Sequence, residues 1–221
     1  MITRRQFVMS TSGALALGAL GTVGAFEVVS PRGGRAEAQT FSVLELEAKG
    51  PIDDIPMGSE NAPVTIIEYA SMTCPHCAAF AVTTFPKLKE KYIDTGKVKY
   101  IMREYPLDGL AAAAFMLARC GGPDKYYPLI ETLFAQQQKW AVREPIPPLL
   151  AIAKQAGFTQ QSFEACLNDT ALFNKIQQVR DRATTKFKVD ATPTFYINGE
   201  KFSGEISIDE LDKRIQAYLK G

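Results

Sequence analysis

Histidine is almost missing from this sequence of 221 residues: His76 is the single one, and only four cysteines accompany it. A zinc site wants four ligands, and no second Cys-x-x-Cys is present to complete one around Cys74 and Cys77, so no metal site is expected. An excess of one charge sign is lacking as well, with 25 Lys and Arg against 24 Asp and Glu. Such a balance assembles neither a nucleic-acid footprint nor a polybasic membrane patch, so recognition has to rest on shape, apolar contact or covalent chemistry. Internal repeats and low-complexity tracts are also missing, which leaves one domain as the simplest organisation.

What is present begins with Thr3-Arg4-Arg5-Gln6-Phe7-Val8-Met9 and an uncharged run of small and apolar residues from Ser10 to Phe26. That order reads as a targeting segment. The paired arginines before Phe7 resemble a twin-arginine export signal, and Ala36-Glu37-Ala38 offers an A-x-A cleavage site. Residues 1–38 are therefore expected to be removed on export to the periplasm. The alternative is an uncleaved membrane anchor, because Gln6 to Phe26 reaches the about 20 residues that cross a bilayer. Gly13, Gly18, Gly21 and Gly24 make that run only mildly apolar. Cleavage removes four Arg and two Glu and leaves 21 basic against 22 acidic residues, a net charge of −1. The remaining 183 residues are enough to bury a core without staples.

Residues 39–62 form a polar, turn-rich lead-in, in which a short edge strand is expected around Phe41–Leu46. Val64-Thr65-Ile66-Ile67-Glu68-Tyr69 has the β-branched, apolar character of a strand buried on both faces. A helix should follow from Pro75, kinked at Pro86 and ended by Thr95-Gly96, and then a strand over Val98–Tyr105. From Asp108 to about Lys186 the pattern turns helical, with segments at Leu110–Cys120, Lys125–Gln137, Ile146–Ala156, Thr159–Asn168 and Thr170–Lys186. Strand character returns at Thr194–Ile197, followed by an Asn198-Gly199 turn, Lys201–Ser203 and a helix from Ser207 to Leu219. The result is one α/β domain: a βαβ half at 63–106, a helical insertion at 107–186 and a ββα half at 187–221.

Cys74-Pro75-His76-Cys77 falls between the first strand and the first long helix, where a Cys-x-x-Cys signals redox chemistry. Cys74 then sits at a helix N-terminus, where unpaired N–H groups and the macrodipole favour an anion, while Cys77 lies almost one turn further in. The outer sulfur is the attacking thiolate and the inner one resolves the mixed disulfide. Pro75 suits the first helical position, and the imidazole of His76 should help lower the Cys74 pKa. An inert local disulfide is the alternative for the pair. Thr192-Pro193 stands directly before the third strand, where proline is confined to a strand start or edge.

Taken together, Cys-Pro-His-Cys after a strand, a helical insertion, and Thr-Pro leading into a hairpin and a last helix resemble the DsbA family of periplasmic thiol oxidases over about residues 57–219. The resemblance implies a thioredoxin fold in which Pro193 is cis, Thr192 packs beside the reactive sulfurs and the Thr192 backbone pairs with a substrate peptide. It aligns Glu68, six residues before Cys74, with a buried acid that relays the Cys77 proton; a partly exposed strand-end glutamate is the alternative. It also implies a monomer that oxidises reduced, unfolded exported proteins, needs no small-molecule cofactor and is reoxidised by a DsbB-like membrane protein. Thr192 departs from the Val of the best-known members and is similar to isomerase and reductase relatives, so the reverse direction of electron flow is kept as a second reading. A metal-handling or chaperone-like module that does not turn over is a third.

Cys120 and Cys166 are expected to form a structural disulfide closing 47 residues, with two buried free thiols as the alternative. Ala111–Ala114 and Phe115, Tyr126, Tyr127, Phe134 and Trp140 read as helix packing. Met72 and Thr73, with part of the insertion, are candidates to frame an apolar groove for substrate.

Overall fold

The computed structural model describes residues 40–220, and the expected export segment 1–38 lies outside them. Within the described residues, β1 (Val64–Ala70) is central to a four-stranded sheet of order β2-β1-β3-β4. β2 (Val98–Glu104) runs parallel to β1, whereas β3 (Thr194–Ile197) and β4 (Glu200–Ser203) are antiparallel to their neighbours. All seven β1 residues are buried, in keeping with a strand covered on both faces. Ile66 belongs to one apolar cluster, with Phe80, Tyr100, Met102 and Phe195, while Ile67 and Tyr69 belong to the other, with Phe187 and Tyr196. The period-2 alternation of a strand sends neighbouring residues to opposite clusters in this way.

Between β1 and β2 the expected single helix is broken in three: α2 (Pro75–Thr83), α3 (Phe85–Leu88) and a π-helical stretch at Lys89–Ile93. Pro86 has no N–H to continue the ladder, so α2 ends at Thr83, Thr84 caps it, and a new turn begins with Pro86 inside its first residues. Gly96, at φ 72°, then turns the chain into β2. The helical block follows as α4 (Gly109–Cys120), α5 (Pro123–Ala135), α6 (Gln137–Trp140), α7 (Ile146–Gln155), α8 (Gln160–Leu167) and α9 (Thr170–Phe187), and α10 (Ile208–Leu219) closes the fold. The expected Lys125–Gln137 helix starts at Pro123 and stops at Ala135, because Gln136 leaves helical geometry (φ −110°, ψ 16°) and α6 begins afresh. Phe115, Tyr126, Tyr127, Phe134 and Trp140 are all buried.

The lead-in corrects one expectation. Phe41–Leu46 is not an edge strand: among the described residues the lead-in meets β4 at the Thr40–Glu200 bridge and then coils into a short helix, α1 (Val43–Glu47). Coiling lets Leu46 drop into the cluster around Tyr69 and Phe187 while Leu44 stays exposed. Further along, Met57 exchanges two backbone hydrogen bonds with Tyr100 at the opposite sheet edge (2.8 and 2.9 Å). Both outer strands thus have part of an edge occupied by the lead-in, which shields unpaired backbone groups.

Buried charges fasten these layers. Arg103 grips Asp54 with Nε and Nη2 (2.9 and 2.7 Å) and donates from Nη1 to the Tyr69 hydroxyl (2.9 Å). Next along the strand, Glu104 accepts from Arg119 Nε (2.5 Å) and from the Tyr126 hydroxyl (2.8 Å). Removing one partner of such a pair strands a buried charge, which costs far more than the pair itself contributes.

Cys120 at the end of α4 is joined to Cys166 of α8, with their Cα atoms 6.1 Å apart. Replacing both by Ala is expected to lower the unfolding free energy by about 2–4 kcal/mol, from the loop closed in the unfolded chain. Urea denaturation of the two proteins, each oxidised at Cys74–Cys77, measures it; coincident midpoints would contradict a stabilising role.

Candidate active site

Local sequence places the reactive pair. Cys74 is the N-cap of α2 with an extended backbone (φ −78°, ψ 121°), and Pro75 takes the first helical position, where its missing N–H has no ladder partner to serve. The N–H groups of the first turn are left free to point at the Cys74 sulfur. Cys74 is only 5% exposed and Cys77 is fully buried, while Pro75 and His76 lie open to solvent. The outer sulfur is thus more covered than its helix-end position suggests.

What covers it is the loop before β3. The Thr192–Pro193 peptide is cis, and the thiol form of Cys74 donates to the Thr192 carbonyl (3.3 Å). The Thr192 hydroxyl is buried and has no oxygen or nitrogen partner. Pro193, buried immediately before β3, has no N–H to lose from the ladder.

The two sulfurs are driven apart electrostatically. A hydrogen bond from Cys77 is the largest influence pulling the Cys74 pKa from the ordinary 9 down to about 5; burial opposes it, while Thr192 and the backbone N–H groups of Cys77 and His76 assist. A thiol with that pKa is mostly thiolate at pH 7. Burial pushes the Cys77 thiol far the other way, and the Cys74 hydrogen bond and the nearby Glu68 charge add to it. Glu68 itself is buried, 2% exposed, on the β1 face beneath the motif. Loss of water raises its carboxyl from 4.5 to about 8, against a hydrogen bond donated by the Tyr100 hydroxyl. The partly exposed alternative for Glu68 therefore does not hold.

His76 acts on Cys74 through its backbone N–H and carries its ring to a distant partner. Its Nδ1 meets Glu205 Oε1 at 2.5 Å, and that hydrogen bond and charge raise the imidazole pKa, with a smaller contribution from the Cys74 charge. Glu205 lies 129 residues away, in the turn between β4 and α10, and nothing in its local sequence marks it. Gln137 was equally hidden. From the first position of α6, its buried amide donates to the carbonyls of Met72 (2.8 Å) and Cys74 (3.0 Å), tying the helical insertion to the reactive loop. Thr73 adds a second tie, donating to Asp108 Oδ2 (2.7 Å), whose other oxygen caps α4 through the Ala111 N–H (2.7 Å).

Met72 requires a correction. A side chain with 0% exposure does not frame an open groove for substrate; Met72 is core, and its backbone carbonyl is what the site uses. Thr73 keeps partial exposure. Among the described residues, no group of three or more His, Cys, Asp and Glu side chains is placed to hold a metal ion.

A helix-capping Cys-x-x-Cys with a depressed outer pKa, faced by a cis-proline loop on a mixed four-stranded sheet, defines a thioredoxin-fold protein built for thiol–disulfide exchange. Comparison with known proteins agrees: the family model described as thioredoxin matches residues 51–217. A putative protein-disulfide oxidoreductase of Rickettsia bellii is 33% identical over 187 residues, covering 82% of this chain and 71% of its own. Disulfide bond formation protein D of Bacillus subtilis is 29% identical over 175 residues, 75% of this chain and 77% of that one. Among solved structures, alpha-DsbA1 of Wolbachia pipientis superposes with a TM-score of 0.74 at 34% identity, covering 80% of this chain and 96% of that chain. The chain belongs to the thioredoxin family and, within it, to the DsbA-like protein-disulfide oxidoreductases.

The Cys74 shift has a testable sign. A folded-state pKa depressed to about 5 gives the reduced protein stability that is fully present above the unfolded pKa near 9 and is lost as pH falls through 5. The oxidised protein has no such thiol. The stability advantage of reduced over oxidised protein should therefore shrink between pH 9 and pH 5, as read by denaturation of both forms across that range. In a separate measurement, Glu205→Gln should lower the His76 pKa followed by NMR; an unmoved imidazole would show that the ion pair is not formed in solution.

Proposed function

We propose that this protein is a periplasmic oxidase that donates its Cys74–Cys77 disulfide to reduced, unfolded proteins arriving by export. The observation that carries this reading is the gap between the two sulfurs: Cys74 favours the thiolate at neutral pH, while Cys77 is held protonated in the core. Stabilising the reduced pair in this way makes the disulfide the stronger oxidant.

The geometry supports the following course of reaction. A substrate thiolate attacks Cys74 Sγ, because Cys77 has no exposure. The Cys74–Cys77 bond breaks, and its electron pair leaves on Cys77, an anion that its buried site disfavours. Glu68, protonated near neutrality and on the same side of the sheet, supplies the proton. A second substrate thiolate then attacks the substrate sulfur of the mixed disulfide and releases Cys74 as its favoured thiolate. The backbone at Thr192, beside the sulfur, is where an extended peptide adds edge-on. Reoxidation falls to a membrane protein of the DsbB kind, the protein acts as a monomer, and no small-molecule cofactor takes part. The periplasmic assignment rests on the twin-arginine-like start and the Ala36-Glu37-Ala38 site.

A Thr192 neighbour for the cis proline fits the reductive direction too, so the potential is the measurement that decides. An oxidase should lie above the roughly −180 mV of protein disulfide isomerase, and a value near the roughly −270 mV of thioredoxin would reverse the assignment. Cys74→Ser should abolish oxidation of a reduced unfolded protein, followed by loss of free thiols; retained activity would sink the assignment of Cys74.

A further inference from the structure

Each redox cycle sends one proton to the Cys77 sulfur and takes one away, and Glu68 is the buried group that exchanges it. Glu68 is itself cut off from water, and on the exchange reading above a substrate bonded to Cys74 stands over the motif. The Tyr100 hydroxyl already spends its hydrogen on Glu68 Oε2. A second way out is needed. A cavity of about 20 Å³ open to a water-sized sphere is lined by both Glu68 and Glu131, with neither Cys74 nor Cys77 in its wall. One water needs about 10–15 Å³ by that measure and two or more polar partners. Phe80, Phe85, Tyr100 and Tyr127 form much of the remaining wall, and Glu131, on the outer face of α5, is the lining carboxyl that reaches solvent.

We propose that Glu131 is the outer station of a proton route that links Glu68 to bulk solvent through one water in this cavity. The inference rests on the disulfide-exchange reading above and adds a residue to it. When the substrate thiolate forms its bond to Cys74 and Cys77 departs with the electron pair, Cys77 takes the proton of Glu68. Glu131 takes a proton from bulk solvent and passes it inward in one shift, the cavity water accepting it while handing its own hydrogen to the Glu68 carboxylate, so that the water is left unchanged and Glu131 returns to its carboxylate. Reoxidation runs the same transfers backwards, from the Cys77 thiol outward. Burial also raises the Glu131 carboxyl above its ordinary range, against the charge of Lys89, which brings its proton affinity closer to that of Glu68. Cys74 and Cys77 act on Glu68 from the motif side, and Tyr100 and Tyr127 face the cavity from β2 and α5.

The test is rapid mixing of the oxidised protein with a reduced dithiol peptide at pH 7, comparing the chain as it stands with Glu131→Ala and Glu131→Asp. Glu131→Ala should slow the exchange about tenfold, below the 10²–10⁴ of a direct acid or base because Glu131 acts through Glu68. Its reduction potential and Cys74 thiolate titration should be unchanged. Raising the concentration of acetate or imidazole buffer should restore its rate, since a small acid replaces the missing carboxyl, and Glu131→Asp should keep most of the speed. A Glu131→Ala protein that runs at full speed, or that is slow at every buffer concentration, overturns the relay. If the unaltered protein does not oxidise the peptide at all, the disulfide-donation reading falls and the relay with it.

Discussion

An anionic sulfur held almost out of water has to be surrounded by partial positive charge, and the whole fold can be read as the means of arranging that at Cys74. The free N–H groups at the start of α2 supply it, and the Cys77 hydrogen bond adds the largest single contribution. β1 delivers the chain to this point and Pro75 starts the helix there. The cis Thr192–Pro193 peptide then closes over the sulfur from a strand more than one hundred residues later. A sulfur at a helix end alone would be exposed; the same sulfur under this loop is 5% exposed and still ionised.

The helical insertion reads differently in that light. Its apolar residues share one core cluster with β1 and α2, and two of its polar residues are spent on the reactive loop, Gln137 on the Met72 and Cys74 carbonyls and Asp108 on Thr73. Burying an amide costs free energy unless it is hydrogen-bonded, so these contacts fix the loop and the insertion against each other. The Arg103–Asp54 and Arg119–Glu104 pairs do the same for the lead-in and the end of β2. Charge placement separates two roles in the site: Glu205 keeps the exposed imidazole protonated to higher pH, while the buried Glu68 stays protonated because water is absent.

Much of this was legible in the order of residues. The strand at Val64, the Cys-Pro-His-Cys motif, the helical block and the Thr194–Ile197 strand each carry a local signature in β-branching, capping or periodicity, and each appears where that signature puts it. Phe41–Leu46 misled because alternating apolar residues in a stretch this short suit a strand and a single helical turn alike, and the pocket beside Tyr69 decided for the turn. Met72 misled for a related reason: standing next to a reactive motif does not say which way a side chain points.

The sequence by itself determined the chemistry, because a Cys-x-x-Cys between a strand and a helix fixes which sulfur lies outward through nothing more than helix geometry. It also determined the α/β order of the elements. Only the tertiary structure decided the electrostatics of the site. Burial of Glu68, the pairing of His76 with Glu205 and the grip of Gln137 on the loop all join residues far apart in the chain. A pKa depends on what surrounds a group in space, and spacing along the chain does not carry that information.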